Sequence, residues 1–152
     1  MNNVIDVKIL DNRLGSQFEF VKYQTEGSSA LDLRAMIKKN FFLNAQSITL
    51  IPSGISIFIK NPLITAMILP RSGLGHYNGI ILGNSIGLID SDYQGELMIS
   101  VWNRSMNSFL ITPGDRIAQL VFIPIIKPHL NVVSDFQKTI RNEKGFGHSG
   151  KQ

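Results

Sequence analysis

The chain of 152 residues contains no cysteine. That absence excludes a disulfide framework, a thiolate metal site and thiol catalysis, and it suits a reducing compartment. No stretch approaches the roughly 20 apolar residues needed to span a bilayer, and Met1-Asn2-Asn3-Val4-Ile5-Asp6 lacks a basic segment leading into an apolar core. The expectation is an unprocessed cytoplasmic protein without a membrane partner. Long amphipathic helices are missing too. No stretch of about 12 residues or more keeps a 3.6-residue period, so the helical crossovers of an α/β fold have nowhere to sit. No internal repeat is present. The histidines His76, His129 and His148 have no mutual metal-site spacing, which gives no zinc. Ser72, His76 and Asp90 lack a nucleophile-elbow pattern, so no Ser-His-Asp triad is read.

What is present is a 43% hydrophobic content, enough for one ordinary core, and a net charge of +4. The charge suits an anionic partner, either nucleic acid or a polyphosphate. Lys38-Lys39 is the only adjacent basic pair, and no basic run is interleaved with aromatics, which favours a small anion site over a nucleic-acid platform. Apolar and polar residues alternate with period two, as at Ile55, Ile57 and Ile59 or Leu97, Ile99 and Val101. Further strands are expected at 4–10, 30–36, 47–51, 63–69, 107–111, 117–124 and 128–133. Turn chemistry such as Pro52-Ser53-Gly54 and Pro113-Gly114-Asp115 separates them. One short helix is allowed after Ser72, near residues 75–78. The sum is one all-β domain over residues 1–138. From Thr139 the composition turns charged and glycine-rich, giving an arm over 139–152 that is either disordered or ordered by a ligand or a neighbouring subunit.

Five segments carry chemistry. Residues 83–95 set Asp90 and Tyr93 into a glycine-punctuated hairpin with apolar strands on either side. Pro70-Arg71-Ser72-Gly73-Leu74-Gly75 ends a strand with a guanidinium, a hydroxyl and free amides that can hold phosphate, or it is a plain turn with an exposed arginine. Alternation puts Asp32 and Arg34 on one face, which reads as a surface ion pair or as outer-shell contact with a phosphate-bound magnesium. Gln119 lies inside the apolar run of Pro113-Gly114-Asp115-Arg116-Ile117-Ala118-Gln119-Leu120, so its amide must bond to backbone or to a ligand. Gly145-Phe146-Gly147-His148-Ser149-Gly150 matches G-x-G-x-x-G and, with Lys151, most of a P-loop, but no strand precedes it and no helix follows. What survives there is a glycine backbone able to approach a polyphosphate beside Arg141 and one aromatic ring, or a tail without function.

Taken in order, these segments resemble the five motifs of the homotrimeric dUTP diphosphatases (dUTPases), bacterial type. The matching pieces are residues 30–35, 70–75, 83–95, 113–119 and 141–150, with the third and fourth the most specific. Ala30, Asn142 and Lys144 stand where the family usually has glycine, and His148 where many members have serine.

The resemblance implies a distorted jelly-roll (β-clip) domain forming a homotrimer, with each active site shared among chains. It implies hydrolysis of dUTP to dUMP and pyrophosphate, which limits uracil incorporation into DNA and supplies dUMP for thymidylate. Asp90 would be the general base, activating a water for in-line attack on the α-phosphorus. The backbone around Asn84, Gly87 and Met98 would read uracil, and Tyr93 would pack on the deoxyribose. Arg71, Ser72, Gly73, Gln119, Arg141, Gly147 and Ser149 would hold the triphosphate, and Phe146 would stack on the base. Mg2+ would bridge the phosphates, with Asp32 reaching it through water. No stable nucleic-acid partner is implied. The alternatives are a dCTP deaminase-like enzyme and a nucleotide-binding regulatory trimer.

Overall fold

The computed structural model describes residues 4–145. Ten strands form two four-stranded antiparallel sheets and a two-stranded ribbon. The strands are β1 (Asp6–Ile9), β2 (Leu31–Arg34), β3 (Phe41–Leu43), β4 (Ile48–Phe58), β5 (Ile64–Pro70), β6 (Ile80–Leu82), β7 (Gly87–Ile89), β8 (Glu96–Asn103), β9 (Phe109–Ile111) and β10 (Arg116–Pro124). The first sheet runs β1-β4-β8-β6, the second β2-β10-β5-β7, and β3 pairs with β9. This is the all-β distorted jelly roll.

Period two decides which residues enter the core. On β8, Leu97, Ile99, Val101 and Asn103 are buried, while Glu96, Met98, Ser100 and Trp102 alternate with them. Leu33, Ala66, Ile68, Ala118 and Leu120 of the second sheet join Ile51, Ile55 and Ile57 of the first in one buried cluster. The buried amide of Asn103 is fully used: it donates to the Leu43 and Asn107 carbonyls and accepts from Ser105.

Two local expectations are corrected. Pro52-Ser53-Gly54 is not a turn between strands but an irregularity within the single long β4, where the register against β8 shifts between Pro52 and Ser56. Proline cannot donate to a ladder, so a bulge absorbs it. Gly54 has φ +74°, and a Cβ there would lie 2.8 Å from Met36, while its N–H is taken by the Glu96 carboxylate at 2.9 Å. Residues 128–133 form no strand; they are exposed throughout, as is the chain from 126 to 145. Their alternating apolar residues find no partner within one chain. The short β3 carries no alternation long enough to be read, and its pairing with β9 supplies the order. The expected short helix is a single wide turn over Leu74–Asn78.

Candidate active site

Strand order explains how residues far apart in sequence meet. In the second sheet Asp32 on β2 lies opposite Gln119 on β10, and Gln119 lies opposite Leu69 near the end of β5. Asp32, Gln119 and Arg71 therefore gather at one end of the sheet. The Asp32 carboxylate accepts from Arg71 Nε at 2.9 Å through one oxygen and from Arg116 Nη1 at 3.0 Å through the other. Arg71 Nη1 also donates to the Arg116 carbonyl at 3.1 Å, and Gln119 Nε2 donates to the Pro70 carbonyl at 2.9 Å. One carboxylate facing two guanidiniums leaves a net positive charge, so the cluster is arranged for an anion. Gln119 keeps a second N–H for a ligand. Ser72 and Gly73 are exposed where the chain enters its wide helical turn, and first-turn amides there have no intrahelical acceptor.

The expected Asp32–Arg34 pair does not form. Arg116 stands directly opposite Arg34 across β2 and β10, and like charges separate. Arg34 turns to the carbonyls of Gly114 and Glu19, at 2.9 and 3.1 Å, and Arg116 reaches diagonally to Asp32. Arg116 is the site residue that sequence reasoning missed. Its signal was there: it follows the Pro-Gly-Asp turn at the first position of a strand.

Residues 83–95 are not a simple hairpin. β6 pairs with β8 as far as Leu82↔Val101, and Gly83 N–H donates to the Ser100 carbonyl at 3.0 Å. There the chain departs and β7 pairs instead with β5, in the other sheet. It returns to β8 at Tyr93, whose phenol O–H donates to the Glu96 carbonyl at 3.0 Å. Between these two anchors the β8 edge from Glu96 to Ile99 pairs with β4 on one side only. Main-chain donors and acceptors on its other side face the mouth of the loop, with Asn84 and Met98 exposed beside them. Gly87 is buried against Ile68, so what it can offer a ligand is backbone alone. Gly95 makes room for the phenol, since any Cβ there would overlap the Tyr93 ring that lies across it.

Asp90 is exposed just past β7, and its carbonyl accepts the Tyr93 N–H at 3.2 Å. The register Ala66↔Ile89 places it beside the start of β5, whereas Arg71 follows the end of that strand. At about 3.3 Å per residue, the six steps from Thr65 to Arg71 span about 20 Å. Within one chain, the proposed base and the anion cluster sit at opposite ends of one sheet.

Arg141 joins none of these groups. Its Nε donates to the Lys144 carbonyl at 3.1 Å in a local exposed turn, where Asn142 has φ +47°. That is the left-handed region glycine favours, and asparagine tolerates it better than most residues. Phe146, Gly147, His148 and Ser149 lie outside the described residues. Among the described residues no group of three or more His, Cys, Asp or Glu could hold a metal by itself.

A family model described as dUTPase matches residues 16–150. The chain is 61% identical, over its whole length and 97% of the relative's, to a deoxyuridine 5'-triphosphate nucleotidohydrolase of Buchnera aphidicola subsp. Schizaphis graminum. Among solved structures it is similar to the dUTPase of Staphylococcus bacteriophage 80alpha with dUPNHPP, at TM-score 0.83 and 24% identity over 98% of this chain and 99% of that one. It also resembles the dUTPase of phage phi11 of S. aureus, studied for the coordination of a structural Mg(II) ion, at TM-score 0.77 and 20% identity over 90% of this chain and 100% of that one.

Proposed function

This chain belongs to the dUTPase family, and from that premise we propose how its own residues divide the hydrolysis of dUTP to dUMP and pyrophosphate. Asp90 is the general base: an exposed carboxylate fixed at the end of β7 orients a water and takes its proton as the water attacks the α-phosphorus in line. The pyrophosphate leaves from the opposite face. The one-sided β8 edge offers N–H and C=O groups to uracil, whose donor and acceptor pattern cytosine does not share. Tyr93, pinned to the Glu96 carbonyl across Gly95, presents a fixed ring to the deoxyribose and leaves no room for a 2'-hydroxyl.

Arg71, Gln119, Ser72 and Gly73 hold the triphosphate, and Arg116 joins them. Mg2+ is the cofactor, and the residues present fit an ion held chiefly by phosphate oxygens and water. Asp32 is the carboxylate among them, and each of its oxygens keeps a lone pair for a metal-bound water beyond its arginine contact. When bound, the ion neutralises charge on the phosphates. Arg141, Phe146, Gly147 and Ser149 close over the nucleotide from the arm at 139–152, beyond the 1–138 domain.

The observation that carries the assembly is the separation of about 20 Å between Asp90 and Arg71 along β5. A triphosphate cannot touch both within one chain, so the site combines Asp90 of one chain with the Arg71 cluster of another in a homotrimer. Ile126, Leu130, Val132, Phe136 and Ile140 support this: each is at least 85% exposed in the single chain, a surface that calls for cover by another copy. Among the described residues no helix is long and apolar enough to cross a membrane, and we place the enzyme in the cytoplasm. The test is pyrophosphate release with Mg2+ from dUTP, UTP, dTTP and dCTP, with and without Asp90→Asn. Release from dUTP alone, lost in the variant while nucleotide binding persists, is the expected result. Undiminished turnover by Asp90→Asn would remove the base assignment, and ammonia release from dCTP would replace the function.

A further inference from the structure

We propose that Thr65 is a positioning residue for Asp90. The inference rests on Asp90 being the base. Thr65 is 3% exposed, and a hydroxyl so buried must find an acceptor inside the protein. Its Oγ1 donates to the carbonyl of Ile89 at 2.8 Å. The β5–β7 register runs Ile68↔Gly87, Met67↔Leu88 and Ala66↔Ile89 and ends there. The main-chain ladder thus stops one residue short of Asp90, and a side chain from the next residue of β5 makes the following contact.

That contact acts directly on the base. The Ile89 carbonyl and the Asp90 nitrogen share one planar peptide unit. Holding the carbonyl oxygen fixes the plane from which the Asp90 side chain departs. Two further bonds hold the other side of the residue: the Asp90 carbonyl accepts from Tyr93 N–H and the Ser91 carbonyl from Lys60 N–H, both at 3.2 Å. Those two lie in exposed turns, where water competes for the same groups. The Thr65 bond is the one sheltered in the sheet. An edge strand of three residues has little ladder of its own, so this hydroxyl carries much of the aim of the carboxylate.

The discriminating variants are Thr65→Val, which keeps the shape and removes the donor, and Thr65→Ser, which keeps the donor and removes a methyl. Steady-state hydrolysis of dUTP is measured for both, beside binding of the imido analogue dUpNHpp and thermal midpoints. Thr65→Val is expected to lose about 10- to 100-fold in kcat, the scale of a misplaced reacting group, with KM and analogue binding within about twofold. Thr65→Ser is expected to recover most of kcat. On an Asp90→Asn background, Thr65→Val should cost no further rate, because the group it aims is already absent.

Full kcat in Thr65→Val overturns the inference, as does an equal loss in the Ser and Val variants, which marks packing alone. If Thr65→Val fails to fold, Thr65→Ala carries the same expectation and the same refutation. Failure of the parent reading is separately visible: Asp90→Asn then retains turnover whatever Thr65 does.

Discussion

Two inactive variants mixed together should regain activity if the base and the anion cluster come from different chains. Asp90→Asn removes the proposed proton acceptor, and Arg71→Ala removes a guanidinium that meets Asp32 at 2.9 Å and lines the anion cluster. Loss of a general base costs about 10²- to 10⁴-fold, and loss of one charge-stabilising donor about 10²- to 10³-fold. Each variant alone should therefore run at about 1% of wild type or less. Random association of the two chains at equal concentration gives a calculable recovery. A shared site works when its first contributor brings Asp90 and its second brings Arg71. Mixed trimers form about three quarters of the population, and each holds one such pair in three, so about one quarter of all sites are intact. The mixture should rise to about 25% of wild-type turnover per site, far above either parent.

The measurement uses the full chains, refolded together or co-expressed with two different tags, and purified so that mixed assembly is verified before assay. Activity that stays at the parental level in verified mixed trimers would mean that one chain holds a whole site. That would contradict the separation of about 20 Å along β5 on which the reasoning rests.

Gly95→Ala should push the Tyr93 ring off its seat and weaken discrimination between dUTP and UTP by about tenfold, read as the ratio of kcat/KM values; an unchanged ratio would show that Tyr93 does not read the sugar. Deleting residues 141–152 should leave the thermal midpoint nearly unchanged, since the described residues 141–145 are exposed and lie beyond Ile140, the last of the apolar residues assigned to cover by another copy, while hydrolysis falls steeply; full activity would mark that part of the arm as dispensable. Asp11 gives an acid-side contribution to stability. Its hydrogen bonds from the Arg13 guanidinium hold its carboxyl below the usual range, and Arg13 also donates to the Met36 and Ile37 carbonyls at 3.1 and 2.9 Å. A depressed value means that the contribution is present above the unfolded-state pKa near 4 and is lost as pH falls through the folded one. Asp11→Asn should cost about 1 kcal/mol in urea unfolding at pH 7, and the gap should close toward pH 3; a pH-independent gap would refute the linkage.

Where the sequence was legible, one physical signal was enough. Alternation placed Leu97, Ile99 and Val101 of β8 inside, and the same reading found β2, β5 and β10 to within a residue or two. It failed where two signals competed. Pro52-Ser53-Gly54 has turn chemistry, yet the apolar residues on both sides belong to one strand, and the core overrode the turn. Residues 128–133 alternate like a strand but lack a partner in their own chain, and a strand is defined by its neighbour. Pairing is likewise what alternation cannot show for Asp32. Its neighbours Arg71 and Arg116 follow from the order β2-β10-β5, a long-range fact.

Residues 83–95 join local chemistry to a change of sheet. As a string they read as a hairpin bearing a carboxylate and a phenol. In the fold the chain abandons β8 after Gly83, lends three residues to the other sheet, and returns at Tyr93. A closed hairpin would have paired the β8 edge from Glu96 to Ile99 and left no main-chain groups for a base. The detour leaves that edge open and, in the same step, sets Asp90 at the end of a strand braced by β5. The proposed base recognition and the proposed water activation thus both rest on one crossing between sheets. The sequence marks that crossing by two glycines: Gly83, where the chain leaves β8 and a Cβ would lie 2.7 Å from Ser100 Oγ, and Gly87, the residue on β7 whose missing side chain lets the strand lie against Ile68.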